Sequence, residues 1–288
     1  MKFETYLEDL LKQFKKSGHE VKLNAHQGVQ ADTFQVTRRG SKNKPPVRKF
    51  IKSGEIQNVK QAWTARSDRL APILVEIIAY ELVSHLNQAV GMGFAEGKKF
   101  GTGLKIPIQN PSDDRYWEYD KVKKRINILT SAYTKIKDVS NYYVDDLHNL
   151  NALFIFAIVG WSDRHAGNRV TKENDYYVID AGLAFDKNSD SLYDLKSNLD
   201  DFYWTLKEQN KKYQKKQIET LIWWQHFIQN NIIKRKIFNK IIESKISKLE
   251  KATGKKFTSL RNNLLQFLMT NSSQILREIN KTLKKVNS

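Results

Sequence analysis

The sequence contains no cysteine. That excludes a disulfide framework, a thiolate nucleophile and a thiolate metal site. It also lacks an apolar run of membrane-spanning length. The longest, Ala152 to Trp161, is about half of the ~20 residues a spanning helix needs. The opening MKFETYLEDLLKQFKK sets acids among its apolar residues, so it does not read as a signal peptide. A cytoplasmic protein is the expectation. Six histidines (His19, His26, His85, His148, His165 and His226) show no H-E-x-x-H or paired spacing, which argues against zinc. No glycine-rich G-x-G-x-x-G loop and no helix-turn-helix signature is present.

Acids are in short supply. Lys and Arg total 49 against 31 Asp and Glu, a formal net charge of +18. Such an excess attracts polyanions: nucleic acid, ribonucleoprotein or an acidic membrane surface. An AT-rich coding composition, which inflates Lys, Asn and Ile together, produces the same excess. Both readings stand on composition alone. Apolar residues make up 40% and aromatics 11%, enough for a core and against disorder. The 288 residues suffice for one two-lobed domain or two small ones.

Apolar spacing over Phe3 to Phe14 predicts a helix ending at Gly18. TFQVT (Thr33 to Thr37) and VRKFIK (Val47 to Lys52) read as strands joined by the turn-rich RRGSKNKPP, a hairpin. Leu70 to Val90 reads as a long apolar helix, KFGTGLKIPI (Lys99 to Ile108) as a strand, and Val144 to Gly160 as a second buried helix. Tyr176 to Ile179 reads as a strand. Beyond Leu192 the pattern is helical, ending in an amphipathic Lys-rich series from Lys234 to Ser288. SDDRYW (Ser112 to Trp117) reads as a surface turn, DDLHN (Asp145 to Asn149) as a helix start with acids in its first turn. LIWWQHFI (Leu221 to Ile228) reads as a core-packing helix, with an aromatic platform for nucleic-acid bases as the second possibility.

The chemistry concentrates in GWSDRHAGNRVTKENDYYVIDAGLAF, Gly160 to Phe185. An apolar helix ends, a loop carries Asp163, Arg164, His165 and Asn168, and a strand delivers Asp180. The separations are 168 − 163 = 5 and 180 − 168 = 12 residues. That layout suits metal-dependent phosphoryl transfer. One carboxylate orients a hydroxyl and accepts its proton, while an amide oxygen and a second carboxylate supply hard ligands for Mg²⁺. Protein kinases use the same Asp-to-Asn interval in H-R-D-x-x-x-x-N. Here Arg and His follow the Asp.

D-R-H-x-x-N with I-D-x-G resembles the signatures of HipA-like kinases and of phosphoinositide kinases. The HipA-like side is closer: a lysine strand, the helix pattern L-V-E-x-x-A-x-x-L, an F-G segment, the D-R-H loop and an A-F ending follow in order from Val47 to Phe185. The chain after Tyr193 matches nothing. The resemblance implies an α+β, bilobal protein-kinase-like fold. A small mixed N-lobe would span residues 1–107 and a mostly helical C-lobe 108–288, the lobes meeting between Pro107 and Val144. It implies ATP and Mg²⁺ as cofactors and a protein Ser or Thr hydroxyl as acceptor. Asp163 would be the catalytic base, His165 a support for the loop or phosphates, Arg164 a brace, and Asn168 and Asp180 the metal ligands.

A kinase also needs a strand lysine on the α and β phosphates, paired with a helix glutamate. Lys49 and Lys52 both qualify. Alternation favours Lys52, because Phe50 then shares the nucleotide face and Ile51 the interior, with Lys49 snorkelling. Of Glu76 and Glu81, Glu76 is favoured: it is flanked by Val75, Ile77 and Ile78, where an unpaired carboxylate is costly, and it fits the helix pattern. The segment NAHQGVQADTFQV offers Gly28 for a phosphate-covering turn, and a plain loop accounts for it equally well. Ser189, Ser191 and Tyr193 are candidate autophosphorylation targets. The alternatives are a phosphoinositide-type lipid kinase and an inactive kinase-like protein that binds nucleic acid. The HipA-like reading also implies a separate, DNA-binding antitoxin-type partner.

Overall fold

The computed structural model describes residues 12, 14–23, 32–40, 42, 47–55, 72–95, 117–120, 125–131, 147–161, 169–172, 175–178, 184–186, 189–208 and 211–287. Its front part is a five-stranded antiparallel sheet. The strands are β1 (Glu20–Leu23), β2 (Asp32–Arg38), β3 (Val47–Glu55), β4 (Trp117–Asp120) and β5 (Arg125–Ser131), in the order β1-β2-β3-β5-β4. The β2–β3 hairpin is the one the alternating TFQVT and VRKFIK runs predict. Its register pairs Val36 with Lys49 and Thr33 with Lys52. Val36 is fully buried between the half-buried Gln35 and Thr37, so along this part of β2 one face is covered and the other partly open.

One expectation is corrected by this sheet. Trp117 does not sit in a surface turn; it opens β4 and pairs with Ile128. β5 inserts beside β3, with Lys49 opposite Ser131 and Glu55 opposite Arg125, so the sheet runs through Ser131. The expected helix at Phe3 to Phe14 lies largely outside the described residues, with Phe14 to Lys16 helical. The expected strand at Lys99 to Ile108 lies wholly outside them.

The described helices are α1 (Pro72–Ala95), α2 (Leu147–Val159), α3 (Ser191–Glu208), α4 (Lys211–Phe227), a π-helix (Ile228–Lys234), α5 (Ile237–Thr253) and α6 (Thr258–Asn287). Between α2 and α3 lies a small hairpin, β6 (Arg169–Lys172) with β7 (Asp175–Val178). Pro72 occupies the first position of α1, where its missing N–H loses nothing. α1 and α2 are apolar almost all round and therefore central. α2 packs against α1, α3, α4 and α6, and α1 packs against β3 and α5.

α5 and α6 bury Phe238, Ile242, Ile246 and Leu249, then Leu260, Leu264, Phe267, Leu268, Ile275 and Ile279, at helical spacing. These residues join the same apolar cluster as α1 and α2. The Lys-rich back part is thus core on one side. Among the described residues no helix is long and apolar enough to cross a membrane.

Glu250 holds the turn between α5 and α6. Gly254 closes α5 in the left-handed conformation, its N–H donating to the Glu250 carbonyl. The Glu250 carboxylate accepts from the Phe257 N–H at 2.8 Å and from Arg261 at 2.9 Å. The Phe257 amide first, then the Arg261 guanidinium, hold its carboxyl below the usual range. A depressed carboxyl stabilises the fold above its unfolded-state pKa, and that contribution fades as pH falls through the lowered folded-state value. Glu250→Gln should therefore melt below wild type at neutral pH, and the gap should close in acid, below about pH 4. Paired thermal melts across pH check this; a gap that persists in acid would show that charge is not its source.

Candidate active site

The helix α1 carries two carboxylates with separate fates. Glu76 is 3% exposed, amid Leu74, Val75, Ile77 and Ile78. It is stabilised there in part by the Tyr80 hydroxyl one turn on, which donates to Oε1 at 2.9 Å. Glu81 turns elsewhere. Its Oε2 lies 3.3 Å from Nζ of Lys245, a nearly buried lysine of α5, and its Oε1 lies 3.3 Å from His85 Nε2. Lys245 thus engages Glu81, while Glu76 lies buried in the helix that packs on the lysine strand.

On that strand, Lys49 stands opposite the buried Val36, and Lys52 opposite Thr33 and Ile128. The two lysines occupy positions of opposite parity along the strand.

The end of α2 is capped by several independent bonds. The Trp161 N–H donates to the Phe156 carbonyl at 3.0 Å and the Gly160 N–H to the Ala157 carbonyl at 3.3 Å. This is a Schellman motif, with Gly160 at φ +59° in the position that demands a left-handed residue. The apolar contact that accompanies such motifs is an edge-to-face pair, Phe156 with Trp161, centroids 5.6 Å apart. Carbonyls at a helix end need partners, and each can accept more than one hydrogen bond. Asn271 of α6 donates its Nδ2 to Ala157 O, and the Phe185 N–H donates to Val159 O at 2.7 Å.

The last bond joins two distant parts of the acidic motif. Phe185, itself at φ +59° and fully buried, meets Phe267 of α6 edge-to-face. Gly160 lies against the same ring, and a Cβ there would overlap Phe267 Cζ. Between these anchors β6 and β7 pair Arg169 with Val178. Asp163 follows Trp161 by two positions, Asn168 directly precedes Arg169, and Asp180 follows Val178 by two. The described flanks of both acidic segments are therefore closed onto one another. Asp163, His165, Asn168 and Asp180 themselves lie outside the described residues, as does Gly28.

Trp161 connects this junction to Glu76. Its buried ring meets Tyr80 edge-on at 5.8 Å, and Tyr80 is the hydroxyl donor to Glu76. Sequence reasoning did not single out Tyr80, Trp161, Phe267 or Asn271. One signal was available: Asn271 and Ser272 interrupt the apolar stripe of α6, and both are buried.

The segment after Asp180 departs from expectation at one point. Ser191 is not an accessible phosphorylation target. It opens α3 and is buried, its N–H donating to Ser189 Oγ at 3.1 Å with the two hydroxyls 2.6 Å apart. A helix start needs such oxygens. Tyr193 is 72% exposed.

No protein-family model matches this sequence, and no curated protein matches it.

Proposed function

We propose that this chain is an ATP- and Mg²⁺-dependent phosphotransferase of the HipA-like type, acting on a Ser or Thr hydroxyl of a protein. The observation that carries the reading is the closed junction. The Val159–Phe185 bond and the β6–β7 pairing tie together the flanks of the two segments that carry Asp163, Asn168 and Asp180. Support also comes from α1, whose buried Glu76 lies in the helix that packs on the strand of Lys49 and Lys52.

In this reading Asp163 accepts the proton of the acceptor hydroxyl as its oxygen attacks the γ-phosphorus and ADP departs. His165 supports the loop. Asn168 and Asp180 form an all-oxygen donor set of the kind Mg²⁺ prefers. Bound there, the ion would neutralise phosphate charge. Lys52, with Lys49 as the second candidate, orients the α and β phosphates, and Glu76 holds that lysine. Gly28 contributes to the turn over the phosphates. The expected small lobe and helical lobe would correspond to the sheet with α1 and to the helices from α2 onward. A separate DNA-binding partner belongs to the same reading.

Saturating ATP with Mg²⁺ should raise the melting temperature by about 5 °C, since ligand at a hundredfold its Kd adds about 2.7 kcal/mol. Asp180→Ala should remove the magnesium-dependent part of that rise. A shift of equal size without magnesium, or one indifferent to Asp180→Ala, would count against the proposal.

A further inference from the structure

A π-helix, Ile228–Lys234, joins α4 to α5, remote in sequence from the D-R-H loop. Runs of this geometry are rare, and they concentrate where function requires a widened helix. Here Ile228 and Ile232 anchor the run in the core. Its outward residues line two open clefts, of about 550 and 330 Å³. His226, Asn230 and Lys234 line both.

The larger cleft adds Trp223, Phe227 and Arg235. Trp223 and Phe227 stack nearly parallel, at 11° and 5.0 Å between centroids. Both are only half buried, unlike Trp224 beside them, which is sealed in the core and donates to Asn151 at 2.7 Å. The smaller cleft is walled by amides, with Gln225 donating to Asn280 of α6 at 2.6 Å. Lys234 and Arg235 are exposed. Among the described residues no carboxylate lines either cleft.

We infer that this surface binds single-stranded nucleic acid. Half-exposed stacked aromatics offer a platform on which an unpaired base can continue the stack, an interaction that tolerates any base. Cationic side chains at the rim suit the phosphates, and a lining without carboxylates does not repel them. The amide side chains present donors and acceptors to base edges. Two adjoining clefts that share a wall suit successive nucleotides of a strand better than one mononucleotide. A duplex offers no unstacked base. An acidic peptide would satisfy the cations and leave the aromatics unused. None of this depends on the phosphotransfer reading.

The test is fluorescence anisotropy of the full chain with labelled mixed-sequence oligonucleotides of about a dozen nucleotides, RNA and DNA in separate arms, at about 50 and 200 mM salt. The charge-reversal pair Lys234→Glu with Arg235→Glu should weaken binding by at least about tenfold. It should also flatten the salt dependence by roughly 0.7 for each phosphate no longer neutralised. Trp223→Ala should weaken binding by about tenfold, as expected when one stacked base is released. Lys251→Glu with Lys284→Glu, outside both clefts, should change affinity less than about twofold. Because Lys234 and Arg235 are exposed, their reversal tests the site even if Trp223→Ala impairs folding. Equal losses from the two charge-reversal pairs would overturn the inference in favour of diffuse attraction. So would a duplex or poly-glutamate that binds as tightly as the single strand, or no binding at the lower salt.

Discussion

Asp163→Ala is expected to lower transfer of label from γ-labelled ATP to protein by about 10²- to 10⁴-fold, the range for removing a positioned general base. The loss should fall on turnover, because Asp163 in the proposed mechanism touches the acceptor hydroxyl and takes no part in holding nucleotide. ATP with Mg²⁺ should therefore still raise the melting temperature of the variant. Asp180→Ala should lose both turnover and the magnesium-dependent stabilisation. That contrast separates a base from a metal ligand. Whole-lysate labelling, wild type beside Asp163→Ala, gives the readout while the acceptor is still unidentified. Label appearing in phosphoinositide vesicles and in no protein would move the acceptor to lipid. Equal labelling by both proteins would remove Asp163 from the chemistry.

Gly160→Ala is expected to destabilise the fold by roughly 3 kcal/mol, from two causes that add. The residue sits at φ +59°, where a side chain costs about 1–2 kcal/mol. The new methyl would also overlap Phe267 Cζ, and overpacking of that kind costs about 1–3 kcal/mol. The causes can be separated. Phe267→Leu opens space at the ring, so Gly160→Ala should cost less in that background and retain only its backbone share. A double-mutant cycle in denaturant measures the coupling, about 1–3 kcal/mol between residues that touch. Strict additivity would mean that the ring yields without resistance.

Elements with strong local periodicity were legible in the sequence. The β2–β3 hairpin, α1, α2 and the amphipathic α5 and α6 lie where alternation or helical spacing puts them, because each repeats its pattern for several turns or pleats. β1, β4 and β5 escaped. They are four to seven residues long, and RINILTS mixes polar and apolar positions without strong contrast. β5 is held by β3, far upstream in the chain, through pairings such as Lys49 with Ser131, and nothing local announces that partner. Around the candidate site the acidic motif could be read directly, and so could the buried Glu76. The supports could not. Phe267 and Asn271 reach the end of α2 from across the helical part, and only packing brings them there. Lys245 opposite Glu81 is of the same kind.

The Asn271–Ala157 bond spans 114 residues. A chain leaves the ribosome from its N-terminus at a finite pace. The D-R-H loop is thus synthesised long before the helix that buttresses its base. A premature stop ahead of α6 would release a protein with every proposed catalytic residue present and the Phe267 and Asn271 contacts at the end of α2 unmade.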